Sequence, residues 1–104
     1  MSRWIQVIKA AEFTTDRHVM DYDGEQIVIF KLADGFYAIL DECSHDDAPL
    51  SEGEVVEGCR IECPRHGALF DIRNGDVLGF PAVEPVKAFP VKVENGMVMV
   101  QVDG

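Results

Sequence analysis

EQIVIFKLADGFYAILD, residues 25–41, decides the fold class. The runs EQIVIFKL and GFYAILD are rich in β-branched and aromatic residues. They flank Asp34-Gly35, a dipeptide that turns one strand back along another. The same signature recurs in FPVKVENGMVMVQV, residues 89–102, around Asn95-Gly96. In its first arm Phe89, Val91 and Val93 share one face, with Lys92 and Glu94 on the other. Residues 3–9 and 17–22 read as further short strands, and Trp4 can anchor either face of the first. EVVEGCRIEC, residues 54–63, reads as two more strands around Gly58, the second carrying Cys59, Ile61 and Cys63 on one face. Only AAEFT, residues 10–14, suggests helix, for one turn at most. Long amphipathic helical periods are missing, so the pattern predicts an all-β domain of many short strands, a sandwich or open barrel.

The chain has 104 residues, the size of one domain, residues 1–104. A chain this small gains from a cofactor that ties its loops together. Nineteen acids against nine bases leave a net charge of −10. That balance excludes nucleic acid, whose phosphates need a basic surface, and anionic membrane surfaces. It suits docking on basic partners. MSRWIQVIKA has charges at both ends of a short apolar stretch and no small-residue cleavage site. No run approaches the roughly 18 apolar residues of a membrane span. Three cysteines are too few for a disulfide scaffold. These features predict a cytoplasmic protein.

Three segments break the strand pattern: DECSHDDAPLSEG (41–53), CPRHGA (63–68) and GFPAVEP (79–85). Loops of this kind on a β scaffold are the usual seat of a site. Two of them carry metal-ligand types. Cys43-Ser44-His45 is followed, after seventeen intervening residues, by Cys63-Pro64-Arg65-His66. Two thiolates and two imidazoles form a shell for zinc, and equally for one form of [2Fe–2S] cluster. Finger-type zinc places two Cys in one half and two His in the other. Here each half is mixed, as a two-iron cluster requires if each loop sends its Cys to one iron and its His to the other. The competing readings are two accidental Cys–His pairs, a mononuclear zinc site, and a hydrolytic triad of Ser44, His45 and Asp46. Three consecutive residues cannot stack into a triad relay.

The pair C43-S-H45 and C63-P-R-H66-G resembles the two cluster-binding boxes of the Rieske family. The resemblance extends through IECPRHGALFD, Gly75 to Val77, the proline loop and the closing ENGMVMV hairpin. It implies a Rieske fold of stacked antiparallel sheets with a two-loop cluster-binding subdomain at about 41–83. It implies one [2Fe–2S] cluster per chain, with Cys43 and Cys63 on the buried iron and His45 and His66 on the exposed one. Ala48, Arg65, Gly67, Ala68 and Phe70 would surround the site, and Gly79, Phe80 and Pro81 match the lid. Cys59 falls outside the second box and reads as a small buried strand residue. His18 reads as a surface residue.

High-potential members resemble C-x-H-x-x-C and C-P-C-H-G-S, with a disulfide between the loops. Here Ala48 and Arg65 occupy the matching positions. Ala68 and Phe70 stand where those members place Ser and Tyr hydroxyls. Donors to cluster sulfur stabilise the more negative reduced state. Their absence predicts a potential near the low end of the range, about −150 mV. Seven acids and no Lys or Arg between residues 41 and 57 act in the same direction, or serve as a solvated or docking face.

The chain has no dinucleotide fingerprint. The resemblance therefore implies a one-electron carrier, an electron-transfer component and not an enzyme. It would be a monomer passing electrons from an NAD(P)H-dependent flavoprotein ferredoxin reductase to a terminal non-haem iron oxygenase. Bacterial aromatic-ring-hydroxylating dioxygenase systems, in aromatic hydrocarbon catabolism, use such a component. The alternatives are the small Rieske subunit of an assimilatory nitrite reductase and a non-redox zinc-binding interaction module.

Overall fold

The structure is a computed structural model and describes residues 2–42, 48–65, 67–79 and 84–103. Eleven strands lie among the described residues: β1 (Ser2–Lys9), β2 (Arg17–Tyr22), β3 (Glu25–Leu32), β4 (Gly35–Leu40), β5 (Glu54–Val56), β6 (Arg60–Glu62), β7 (Leu69–Asp71), β8 (Val77–Gly79), β9 (Ala88–Phe89), β10 (Val91–Glu94) and β11 (Met97–Asp103). They form three antiparallel sheets, ordered β1-β11-β10, β2-β3-β4-β9 and β5-β6-β7-β8. The only helices among the described residues are single 3-10 turns at Ala10–Glu12 and Leu50–Glu52. The all-β prediction holds, including the single helical turn within AAEFT.

The opening hairpin is the centre of the molecule. Ile27, Val28, Ile29 and Phe30 are all buried, so β3 is covered on both faces. Side chains alternate along a strand, and the two faces serve two cores. Val28, Phe30 and Ile39 join Leu50, Ile61, Cys63, Phe70 and Ile72 on one side. Ile27, Ile29 and Ala38 join Phe13, Phe89, Val98, Val100 and Val102 on the other. The middle sheet thus separates a base core from a core beneath the irregular loops.

The 89–102 segment differs from expectation in its first arm. Pro90 has no N–H to give to a ladder, and the run splits there. Phe89 pairs with Ala38 in the middle sheet, while Val91 begins β10 beside β11. Phe89 and Val91 still reach the base core, but Val93 is 47 % exposed. The Asn95-Gly96 turn forms as predicted, with both residues at positive φ. Trp4 is settled by Lys92, whose ammonium sits 4.4 Å from its ring centroid. His18 is half-buried, its ring 6.2 Å from that of Phe13, rather than a plain surface residue.

Candidate metal centre

The β5–β8 sheet is built from three-residue strands. Its hydrogen bonds alone cannot hold it, so its position depends on what lies under it and beside it. Arg17, on β2 of the middle sheet, reaches across. Its Nη1 donates to the carbonyls of Ser51 and Gly53, both at 2.8 Å. Its guanidinium lies 5.2 Å from the Phe30 ring centroid and is bracketed by Asp16 at 2.9 Å. The hydrogen bonds from Arg17 hold the Asp16 carboxyl below its usual pKa.

The second box is a closed turn. The Cys63 N–H donates to the Ala68 carbonyl at 2.7 Å, and the Gly67 N–H donates to the Cys63 carbonyl at 3.1 Å. Gly67 has φ +74, a conformation that costs side-chain-bearing residues and that glycine adopts freely. Pro64 and Arg65 are exposed at the rim. Beneath the turn Cys63 is only 1 % exposed. It belongs to the same buried cluster as Ala48, Leu50, Ala68 and Phe70. Ala48 comes from the end of the first box, so the two irregular segments meet in one apolar cluster. Of the predicted site residues, the structure brings together Ala48, Cys63, Ala68 and Phe70. Gly67 closes the turn, and Arg65 stands outside it. Cys43, His45, His66, Phe80 and Pro81 lie outside the described residues.

The turn after β7 carries the return of the third loop. The Gly75 N–H donates to the Asp71 carbonyl at 2.7 Å, and the Val86 N–H donates to the Gly75 carbonyl at 2.9 Å. Gly75 has φ +79, and a Cβ there would collide with the Val86 carbonyl. Burial works to raise the Asp71 pKa, but side-chain and backbone hydrogen bonds from Arg73 outweigh it and leave the group lowered.

Two residues differ from expectation. Cys59 is not a buried strand residue. It sits half-buried in the Glu57–Cys59 turn, before β6 begins at Arg60. Glu57 and Gly58 both take positive φ in a turn that includes Cys59, so the second strand begins one residue later than alternation suggests. Asp41, counted among the acids of a solvated or docking face, is 6 % exposed and the only buried charged residue among those described. Its Oδ1 accepts the Ser51 N–H at 2.6 Å and its Oδ2 accepts the Ser51 hydroxyl at 2.7 Å. The Asp41 N–H donates to the Gln26 carbonyl at 2.8 Å. Sequence reasoning missed this pair and the Arg17 bridge; the one available signal was an Asp next to a strand end.

The donor chemistry fits an iron–sulfur group. Cys63 supplies a soft sulfur shielded from water, in an apolar cluster that includes Ala48, Leu50, Ala68 and Phe70. An antiparallel three-sheet domain with such a loop pair defines a class of small electron carriers. Residues 3–90 match the family model of the Rieske [2Fe–2S] domain, and the chain belongs to that family. It is 39 % identical over 103 residues to the anthranilate 1,2-dioxygenase ferredoxin subunit of Burkholderia cepacia, covering 98 % of this chain and 94 % of the relative. The ferredoxin of carbazole 1,9a-dioxygenase from Nocardioides aromaticivorans IC177 superposes with a TM-score of 0.85 at 32 % identity, over 93 % of this chain and 95 % of that one. A chain of the complex of reduced oxygenase and oxidized ferredoxin in carbazole 1,9a-dioxygenase gives 0.85 at 33 % identity, over 93 % and 91 %. The protein carries one [2Fe–2S] cluster and is an electron-transfer component, not itself an enzyme. No helix among the described residues is long and apolar enough to cross a membrane.

Proposed function

We propose that this protein is the ferredoxin of an aromatic-ring dioxygenase system. It accepts single electrons from an NAD(P)H-dependent flavoprotein reductase and delivers them to a terminal non-haem iron oxygenase. The carrying observation is the likeness to a dioxygenase ferredoxin subunit at 39 % identity over 98 % of the chain. A ferredoxin that superposes on it lies in a complex with an oxygenase. We assign Cys43, His45, Cys63 and His66 as the cluster ligands, within a subdomain spanning about 41–83 of the single domain 1–104. Cys63 and its closed turn support that assignment, as does the matching Cys-x-His of the first box. When bound, the cluster supplies a one-electron redox centre. The chain's own contribution is to bury one sulfur, exclude water beneath the loops and hold the two boxes on one scaffold. The working form is a cytoplasmic monomer that meets its two partners in turn.

Ligand variants and reconstitution test this. Cys63→Ser abolishes the Rieske absorbance and the EPR signal of the reduced protein, while Cys59→Ser retains both. Loss of the signal in Cys59→Ser would overturn the register. With a dioxygenase reductase and oxygenase, the protein supports NAD(P)H-dependent oxygenation. A colourless protein that binds zinc and transfers no electrons would overturn the function.

A further inference from the structure

We propose that Asp41, Ser51 and Arg17 form a two-sided clasp that positions the first ligand box. The proposal rests on the ligand assignment above. Residues 42–50, which contain Cys43 and His45, lie in the sequence between Asp41 and Ser51. Joining the two ends of a segment restricts the conformations open to the residues between them. The Asp41 carboxylate joins these ends through the Ser51 N–H and hydroxyl, at 2.6 and 2.7 Å. On the opposite side the Ser51 carbonyl accepts from Arg17. Ser51 is therefore gripped by three of its polar groups, from β2 and from the residue that follows β4. Asp41 follows directly on β4, and its own N–H is held by the Gln26 carbonyl of β3. Arg17 belongs to β2. Leu50, next to Ser51, is fully buried in the core that holds Cys63, so the clasp also ties the segment that follows the first box to the core beneath the second.

A buried carboxylate is an expensive way to close a loop, because its desolvation must be offset by strong donors. An apolar residue at position 41 would pack in the same place without that cost. What a carboxylate provides is directionality: two charge-assisted hydrogen bonds fix both the distance and the rotation of Ser51. Asp41 and Ser51 act on the cluster through the segment between them, which makes them positioning residues.

The test uses the purified, cluster-loaded protein. Cluster loss is followed as decay of visible absorbance in the presence of an iron chelator, thermal unfolding by far-ultraviolet circular dichroism, and site geometry by the EPR g-values of the reduced protein. Asp41→Ala removes both bonds and accelerates cluster loss about tenfold or more. Ser51→Ala keeps the N–H bond, accelerates loss several-fold and shifts the g-values. Ser51→Thr, which restores the hydroxyl, returns both readouts towards the wild type. Val98→Ala, in the base core, lowers the unfolding temperature without a matching acceleration. If Asp41→Ala does not fold, the Ser51→Ala and Ser51→Thr pair decides. Wild-type rates and g-values in the Ser51→Ala protein overturn the clasp. So does cluster loss from Val98→Ala as fast as from a clasp variant of equal thermal stability. A wild-type protein without a Rieske signal overturns the ligand assignment and the clasp together, whereas a normal wild-type signal with unaffected variants overturns the clasp alone.

Discussion

The base of the molecule and its loop-bearing sheet are both antiparallel β-structure, yet they are held in different ways. β1 and β11 run for eight and seven residues, and β3, which covers their core from the middle sheet, runs for eight. Their ladders are long, their turns are tight, and Val98, Val100 and Val102 bury one face continuously. Strands β5 to β8 have three residues each. Their sheet is fixed from outside, by Arg17 from β2, by Asp41 from the end of β4 and by the Gly75–Val86 contact. The base needs only pattern, whereas the loop-bearing sheet needs particular residues at particular points. A site that presents loops has little ladder to spend on its own stability, so specific hydrogen bonds take over.

Adjacent residues of β3 allow that division to be broken one side at a time. Ile29→Ala opens a cavity in the base core and Phe30→Ala one under the loops. Each costs about 2–5 kcal/mol in chemical denaturation. Only Phe30→Ala also loosens the cluster, because Phe30 shares its core with Cys63 and supports the Arg17 guanidinium. Equal cluster retention in the two variants would show that the cores are not separate in effect.

Gly75→Ala is the next largest. It places a Cβ at φ +79 and drives it into the Val86 carbonyl, at a cost of roughly 1–3 kcal/mol. The return of the third loop shifts, and hydrogen exchange at the Val86 amide rises. Gly96→Ala, at φ +77 but with open space around the added methyl, costs less in the same thermal melt.

Hydroxyl donors sharpen the comparison inside the core beneath the loops, leaving the base core unchanged. Phe70 and Ala68 are both fully buried beside Cys63. Ala68→Ser and Phe70→Tyr each raise the reduction potential measured by voltammetry, and the double variant raises it most. The same voltammetry on the wild type is expected to give a midpoint near the low end of the Rieske range, about −150 mV, and a midpoint above zero would refute the argument.

The smallest effect is in acid. Arg17 holds the Asp16 pKa below its usual 3.8. A lowered folded pKa contributes stability above the unfolded value, and that contribution disappears as pH falls through the folded one. The clamp between the middle sheet and the loop sheet therefore weakens below about pH 4. Asp16→Asn removes this part of the acid sensitivity in a thermal melt series. The change is modest, because Asp16 is half exposed and solvent screens the pair.

The long strands and the Asn95-Gly96 turn were legible because alternation and turn residues are local signals, whereas the first hairpin turns one residue earlier than Asp34-Gly35, at Ala33-Asp34, with Gly35 opening β4 opposite Leu32. β7, β8 and β9 were not, since two or three residues carry no period and pair only because a neighbour is present. The Cys63 turn was legible from its Pro and Gly. Cys59 differs because the turn through Glu57 and Gly58, both at positive φ, takes in Cys59 as well, and alternation across only a few residues cannot show where a turn hands over to the next strand.

By itself the sequence determined the all-β class, the two Cys–His boxes and the family they resemble, because each of these is written in residues close along the chain. The tertiary structure decided that β3 divides two cores, that Asp41 is buried, and that Arg17 and Asp41 meet at Ser51. An aspartate in an acidic stretch looks solvated until a partner ten residues away is brought to it. Burial and hydrogen bonding are properties of the surroundings a fold supplies, and no local pattern carries them.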